Sequence, residues 1–237
     1  EQLADNQRDQ PSAPPRTGAI FTVAPYLFPV MIPKVHEKAP SMPLYIEENY
    51  THVLRPKLEQ GDLDAIIVAL PFSGGGLVRA RMYDESFSVL LPAKHPWTKQ
   101  KQIEPEQLLD ETLLLLGSGH CFRDQVLEVC PEMSRFSTSG DGIARTFEGS
   151  SLETIRHMVA SGIGITVLQQ ASVPDMRAKE SMLRYVPFSE PVPSRRVVIA
   201  WRKSFTRRPA IEAIRQAVLS CDLHGVTMLR DAPMAEG

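Results

Sequence analysis

The stretch THVLRPKLEQGDLDAIIVAL, residues 51–70, joins the two kinds of element on which the fold class turns. Residues 51–61 read as a helix, closed by Gly61 at the C-terminal position where left-handed backbone favours glycine. Residues 63–70, LDAIIVAL, form a short apolar run of the kind found in strands buried on both faces. Upstream, MPLYIEE reads as another strand. Before it, PYLFPVMIPKVHEKAP places Leu27, Met31 and Val35 four apart on one helical face, with prolines that make the helix irregular at its start. TGAIFTVA, residues 17–24, has a buried-strand pattern. The order is β-α-β-α-β, which implies right-handed crossovers and a mostly parallel sheet covered on both faces.

Downstream of Gly74 to Gly76, RMYDESFSVLLP reads as a strand, and the exposed turn AKHPW marks passage to a second lobe. ETLLLLGSG is a further buried strand. In SSLETIRHMVASGIGITVLQ, Ser150 with Glu153 makes a capping box, and Leu152, Ile155, Met158 and Val159 form an apolar face. Gly162 can stop that helix, and ITVL is a strand. RRVVIAWR reads as a strand. RRPAIEAIRQAVLSC reads as an amphipathic helix with Ile211, Ile214 and Val218 on one side, returning to the first lobe. The expected fold class is therefore α/β, two Rossmann-like lobes with a ligand cleft between them at the carboxyl ends of the strands. Residues 1–16 are expected to be the remnant of a linker, 17–88 with 196–237 lobe I, and 89–195 lobe II.

The 237 residues are 43% hydrophobic and 23% charged, which suits a globular chain with a sizeable core. A formal net charge of -2 gives no broad electrostatic footprint for nucleic acid or anionic membrane. No apolar run is long enough to span a bilayer, and the polar N-terminus is unlike a signal peptide, so a cytoplasmic protein with no membrane partner is expected. Three cysteines are too few for a disulfide scaffold and favour a reducing compartment.

Two of them bracket CFRDQVLEVC, residues 121–130. As a helix, this segment places the two Cα atoms about 13 Å apart along the axis and on opposite faces. A disulfide needs Cα atoms within roughly 7 Å, so the two cannot bond while the helix exists. Cys130 falls on an apolar side with Phe122, Val126 and Val129. Cys121 falls opposite, at the helix start, flanked by His120, Arg123 and Gln125, where the helix N-terminus and nearby cations stabilise a thiolate. Cys121 thus has the setting of a reactive thiol and Cys130 that of a buried one. The blander alternative is a pair of small hydrophobes. A metal site is not expected, because one His beside one Cys with eight residues between the thiols matches no zinc spacing.

GHCFRDQ followed by Cys130, with TVAPYLFPVMIP, QGDLDAIIVAL, SLETIRHMVASGIGIT and PSRRVVI, resembles the regulatory domain of the OxyR family of peroxide-sensing LysR-type transcriptional regulators. The resemblance runs from about Gly18 to Trp201 and into the final helix. It implies a periplasmic-binding-protein-like (type 2) domain, with a winged helix-turn-helix DNA-binding domain before residue 1. It implies that Cys121 is oxidised by hydrogen peroxide to a sulfenic acid and that Cys130 resolves it as a disulfide. It further implies a peroxide pocket of Thr22, Thr51, His120, Cys121, Gln125 and Arg196, supported by Arg123 and by Asp124 holding one of the cations. No cofactor is implied. The implied partners are a second copy (homodimer, or homotetramer in the full-length protein), promoter DNA and RNA polymerase through the full-length protein, and thioredoxin or glutaredoxin as reductant. Against the family pattern, residues 131–150 form a long connection with Pro131 directly after Cys130, Gln169 and Gln170 stand where Leu-Pro is common, and Cys221 has no assigned role. Two other functions fit the residues: a LysR-type domain that binds an organic effector, and a thiol peroxidase.

Overall fold

The computed structural model describes residues 14–132, 146–173, 182–230 and 234–236. The chain divides into two compact units, Glu1–Asp84 with Arg196–Gly237 and Glu85–Arg195.

In the first unit, β1 (Arg16–Ile20) lies between β2 (Tyr45–Asn49) and β3 (Ala65–Ala69), parallel to both. The intervening helices are α1 (Ala24–Lys38) and α2 (Thr51–Gln60). β3 is buried along its whole length, as the apolar run required. Gly61 ends α2 at φ 87°, its N–H turned back on the Leu58 and Lys57 carbonyls. A Cβ at Gly18 would stand 2.6 Å from Leu54 Cδ2 and 2.8 Å from Leu63 Cδ1, so any side chain there would displace these two core leucines. β1 stops before the expected end because the Val23 N–H bonds to Ile20 O at 2.8 Å and turns the chain into α1. The linker remnant is shorter than expected at its far end: Arg16 already belongs to β1, its N–H donating to Asp64 Oδ2 at 2.8 Å, while residues 1–13 lie outside the described residues.

The sheet is mixed rather than mostly parallel. β9 (Ser194–Arg202) runs antiparallel to β3, and β4 (Leu77–Pro92) lies beyond it. Parallel pairing needs a crossover on each connection, whereas β9 returns from the second unit and meets the open edge of β3 from the other direction. α5 (Arg208–Leu219) buries Ile211, Ile214 and Val218 and packs against α1. The C-terminal strands β10 (Val226–Met228) and β11 (Met234–Glu236) pair with β4.

The second unit contains β5 (Leu113–Leu116), α3 (Cys121–Val129), β6 (Thr146–Gly149), α4 (Leu152–Ala160), β7 (Thr166–Gln169) and β8 (Leu183–Pro187). β5 and β6 are parallel, and β7 and β8 run antiparallel to the second half of β4. The cap of α4 is Ser151 rather than the expected Ser150: its side chain accepts from the Thr154 N–H at 3.2 Å, leaving Glu153 exposed at the second position. The buried face of α4 includes Arg156, 7% exposed, which donates to Ser172 O and Tyr185 Oη, while Met158 is only half-buried.

The chain passes between units within β4, at Asp84–Glu85, and within β9, at Arg195–Arg196. The first passage falls four residues before the expected 88/89 boundary, because Phe87 already pairs with Gln169 of β7 and packs on Phe122. Of the long connection 131–150, residues 133–145 lie outside the described residues.

Candidate functional site

In the second unit the site grows from the end of β5. The Gly117 N–H bonds to Gly149 O at 3.0 Å, holding the ends of the parallel strands β5 and β6 together, and Gly119 turns the chain at φ 100°. His120 is the N-cap of α3 and Cys121 its first residue. Cys121 is half-buried, Cys130 and Cys221 are buried, and all three are free thiols. α3 ends at Cys130, with φ -136° and ψ 88°, as expected of a residue that precedes proline. The two thiols therefore stand at opposite ends of one helix, as the sequence led one to expect.

The faces of α3 are only partly those expected. Phe122, Val126 and Cys130 are buried and Val129 only half-buried, while Gln125 is buried too, at 8% exposure. Its amide thus lies on the protein side of the helix and not with the polar surface. His120 is 6% exposed, and burial holds its imidazole below the usual value of 6.5, opposed by a hydrogen bond with the Ser150 backbone. It is therefore a neutral hydrogen-bonding ring beside Cys121 at neutral pH. Arg123 bonds to Leu116 O at 3.1 Å and to Glu148. Asp124 is exposed and makes no ion pair among the described residues, so the carboxylate that holds a cation here is Glu148.

The remaining candidates belong to the first unit. Ile20 and Asn49 are partners at the ends of β1 and β2, and Thr22 and Thr51 each follow two residues later, at the carboxyl edge of that parallel pair. Thr22 is 3% exposed. Thr51 opens α2, yet its hydroxyl does not cap the helix: Oγ1 is buried without a hydrogen-bond partner among the described residues. Arg196 makes a bidentate pair with Asp84, Nε to Oδ1 and Nη2 to Oδ2 both at 2.7 Å, which reinforces its charge.

Its neighbour Arg195 belongs to the second unit and was not among the candidates. It is buried against Glu85, Nε to Oε1 at 2.6 Å, with the guanidinium carbon 4.9 Å from the centre of the Phe122 ring. Burial pushes the Glu85 carboxyl up, against the opposing pull of Arg195. Successive strand residues point to opposite faces, so tandem acids 84–85 against tandem arginines 195–196 make two separate pairs. That tandem was the signal present in the sequence. No group of His, Cys, Asp and Glu suited to a metal occurs among the described residues, and no described helix is long and apolar enough to cross a membrane.

Residues 8–220 match the LysR substrate binding domain family. The DNA-binding transcriptional dual regulator OxyR of Escherichia coli K12 is 34% identical over 218 residues, 92% of this chain and 69% of that protein. A hydrogen peroxide-inducible genes activator of Dickeya chrysanthemi is 33% identical over the same shares of the two chains, 92% and 69%. Among solved structures, the reduced form of the OxyR regulatory domain from Pseudomonas aeruginosa is 52% identical with a TM-score of 0.79, covering 90% of this chain and 97% of that one.

Proposed function

The chain belongs to the LysR substrate-binding-domain family, and from that premise we propose that it is a peroxide-sensing regulatory domain in which Cys121 is the sensing thiol and Cys130 its disulfide partner. One observation carries the assignment of roles: a half-buried free cysteine opens a helix at a strand–glycine–helix junction, and a fully buried one closes the same helix. The first is open to a small oxidant and the second is shielded from it.

The Cys121 thiolate attacks one oxygen of hydrogen peroxide. An S–O bond forms as the O–O bond breaks, and the departing hydroxide takes up a proton to leave as water. The Cys130 thiol then attacks the sulfenic sulfur, an S–S bond replaces the S–O bond, and a second water carries off the hydroxyl and the thiol proton. Neutral His120 and the Gln125 amide can donate to and accept from a small uncharged peroxide, orienting its O–O bond. Thr22, Thr51 and Arg196 are assigned to the same chemistry by the motifs they occupy, and the unpartnered Thr51 hydroxyl supports this.

Because the helix forbids the disulfide, oxidation has to reshape α3, and that reshaping is the signal. In the full-length protein it acts on promoter DNA and RNA polymerase through a homodimer or homotetramer in the cytoplasm, with thioredoxin or glutaredoxin restoring the thiols. The test is peptide mapping with and without stoichiometric peroxide. Cys121→Ser is expected to abolish peroxide-driven thiol loss, and Cys130→Ser to accumulate a sulfenic acid that dimedone traps. A map with no 121–130 disulfide, or rapid multiple turnover with thioredoxin, overturns the reading.

A further inference from the structure

The first turn of α3 is fastened to the strands that carry the chain between the units. Phe122, 2% exposed, meets the ring of Phe87 edge-on, centroids 5.2 Å apart at 89°, and takes the Arg195 guanidinium on its face at 4.9 Å. Arg195 in turn is fixed by Glu85, both side chains 1% exposed, and the Ala171 backbone holds Glu85 as well. Glu85 and Arg195 immediately adjoin the two chain passages. No step of peroxide chemistry uses these residues, yet they form a buried, charged and aromatic seat for the residue next to the sensing cysteine.

Disulfide closure conflicts with this seat. Phe122, Gln125, Val126 and Cys130 are buried along α3, whereas Cys121 is half-buried, and the rise and turn of the helix put it on the face opposite Cys130. The helix holds the two Cα atoms about 13 Å apart, where the disulfide tolerates roughly 7 Å. Turning Cys121 toward the Cys130 side rotates the first turn about the helix axis, and the adjacent Phe122 leaves its slot.

We propose that Phe122, seated between Phe87 and the Glu85–Arg195 pair, is a latch on the reduced state that is withdrawn when the disulfide closes, so that the strength of its seat sets the thiol–disulfide equilibrium. Glu85 and Arg195 are then positioning residues, acting on Cys121 through Phe122. The inference rests on the assignment of Cys121 and Cys130 as the disulfide pair. It also links the thiols to the strand residues beside the passages between units, which gives the oxidation event a physical route out of α3.

The test is the equilibrium of the full chain with dithiothreitol, in which the two protein thiols pass two electrons and two protons to the oxidised reagent. A contact made only in the reduced form shifts this equilibrium when weakened, whereas a merely structural contact destabilises both redox forms alike and leaves it unmoved. Phe122→Leu keeps the apolar volume and loses the ring face. Arg195→Lys keeps the charge opposite Glu85 and loses the planar group that stacks. Each is expected to favour the disulfide by on the order of tenfold, about 30 mV. The double variant is expected to shift the equilibrium by less than the sum of the two single shifts. Equilibria within about twofold of the parent in both single variants, or strict additivity, overturn the latch. Hydrogen exchange on the unsubstituted protein provides the check that needs no variant. Amides 122–126 are expected to lose protection on oxidation, and retained protection overturns the proposal. If the parent protein forms no 121–130 disulfide at all, it is the functional reading that has failed.

Discussion

At His120 the imidazole is buried at the start of α3, and burial outweighs its hydrogen bond with the Ser150 backbone, so it titrates below its usual 6.5. The unfolded chain takes up this proton near 6.5 and the folded chain only at lower pH. Stability from this residue is therefore complete above about pH 6.5 and falls as pH drops toward the folded value. His120→Gln is expected to flatten that part of the stability profile, read as urea midpoints on lowering the pH from about 7. A profile with the same slope in both proteins contradicts it. Thr51 allows a cleaner separation of function from folding. Thr51→Val removes a hydroxyl with no hydrogen bond to lose among the described residues, so the unfolding free energy is expected to change by less than about 1 kcal/mol. If the hydroxyl engages peroxide, oxidation of Cys121 slows by on the order of tenfold, measured as pseudo-first-order thiol loss. At this scale the spacing in the sequence put the two thiols at opposite ends of one helix, as the structure does, but it did not show that His120 and Gln125 are buried. Helical spacing gives a residue's angular position, while burial depends on what the rest of the fold lays against it.

Thr22, Thr51 and Cys121 are placed by the same device, a parallel strand that ends at its carboxyl edge and turns into a helix, whereas Arg196 lies within the antiparallel β9. β1 leads through Thr22 to α1, β2 leads directly to Thr51 and α2, and β5 leads through Gly119 and His120 to α3. The turn before α3 depends on Gly119 at φ 100°, so Gly119→Ala is expected to cost about 1–2 kcal/mol and to displace Cys121, read by denaturant midpoint and thiol reactivity together. The cap of α4 gives a second measure. Ser151→Ala is expected to cost about 1 kcal/mol, and Ser150→Ala to cost little, since Ser151 is the residue whose side chain accepts from the Thr154 N–H. The capping pattern was visible in the sequence, but two adjacent serines satisfy it one residue apart. The path of the chain out of β6 decides between them.

Across the whole chain, the two passages between units carry two acid–arginine pairs on consecutive residues, Asp84 with Arg196 and Glu85 with Arg195. The first pair is partly exposed and worth little to stability; the second is sealed from water. Glu85→Gln leaves the Arg195 charge buried without its partner and is expected to destabilise the protein by about 3 kcal/mol or more, measured by urea denaturation of the reduced form. Asp84→Asn is expected to change stability by under about 1 kcal/mol in the same measurement.

The sequence by itself determined the α/β alternation, the buried β3, the amphipathic faces of α1 and α5, and the separation of the two thiols, because periodicity and helix rise are local properties of the chain. Only the tertiary structure decided that the sheet is mixed, that Glu148 holds Arg123, and that Arg195 rather than Arg196 lies over Phe122. Those outcomes depend on which strand meets which edge and which of two opposite faces each tandem residue occupies. Such pairings join residues 25 to 136 positions apart, as Arg123 with Glu148 and Ala65 with Trp201 do, and no local pattern encodes them.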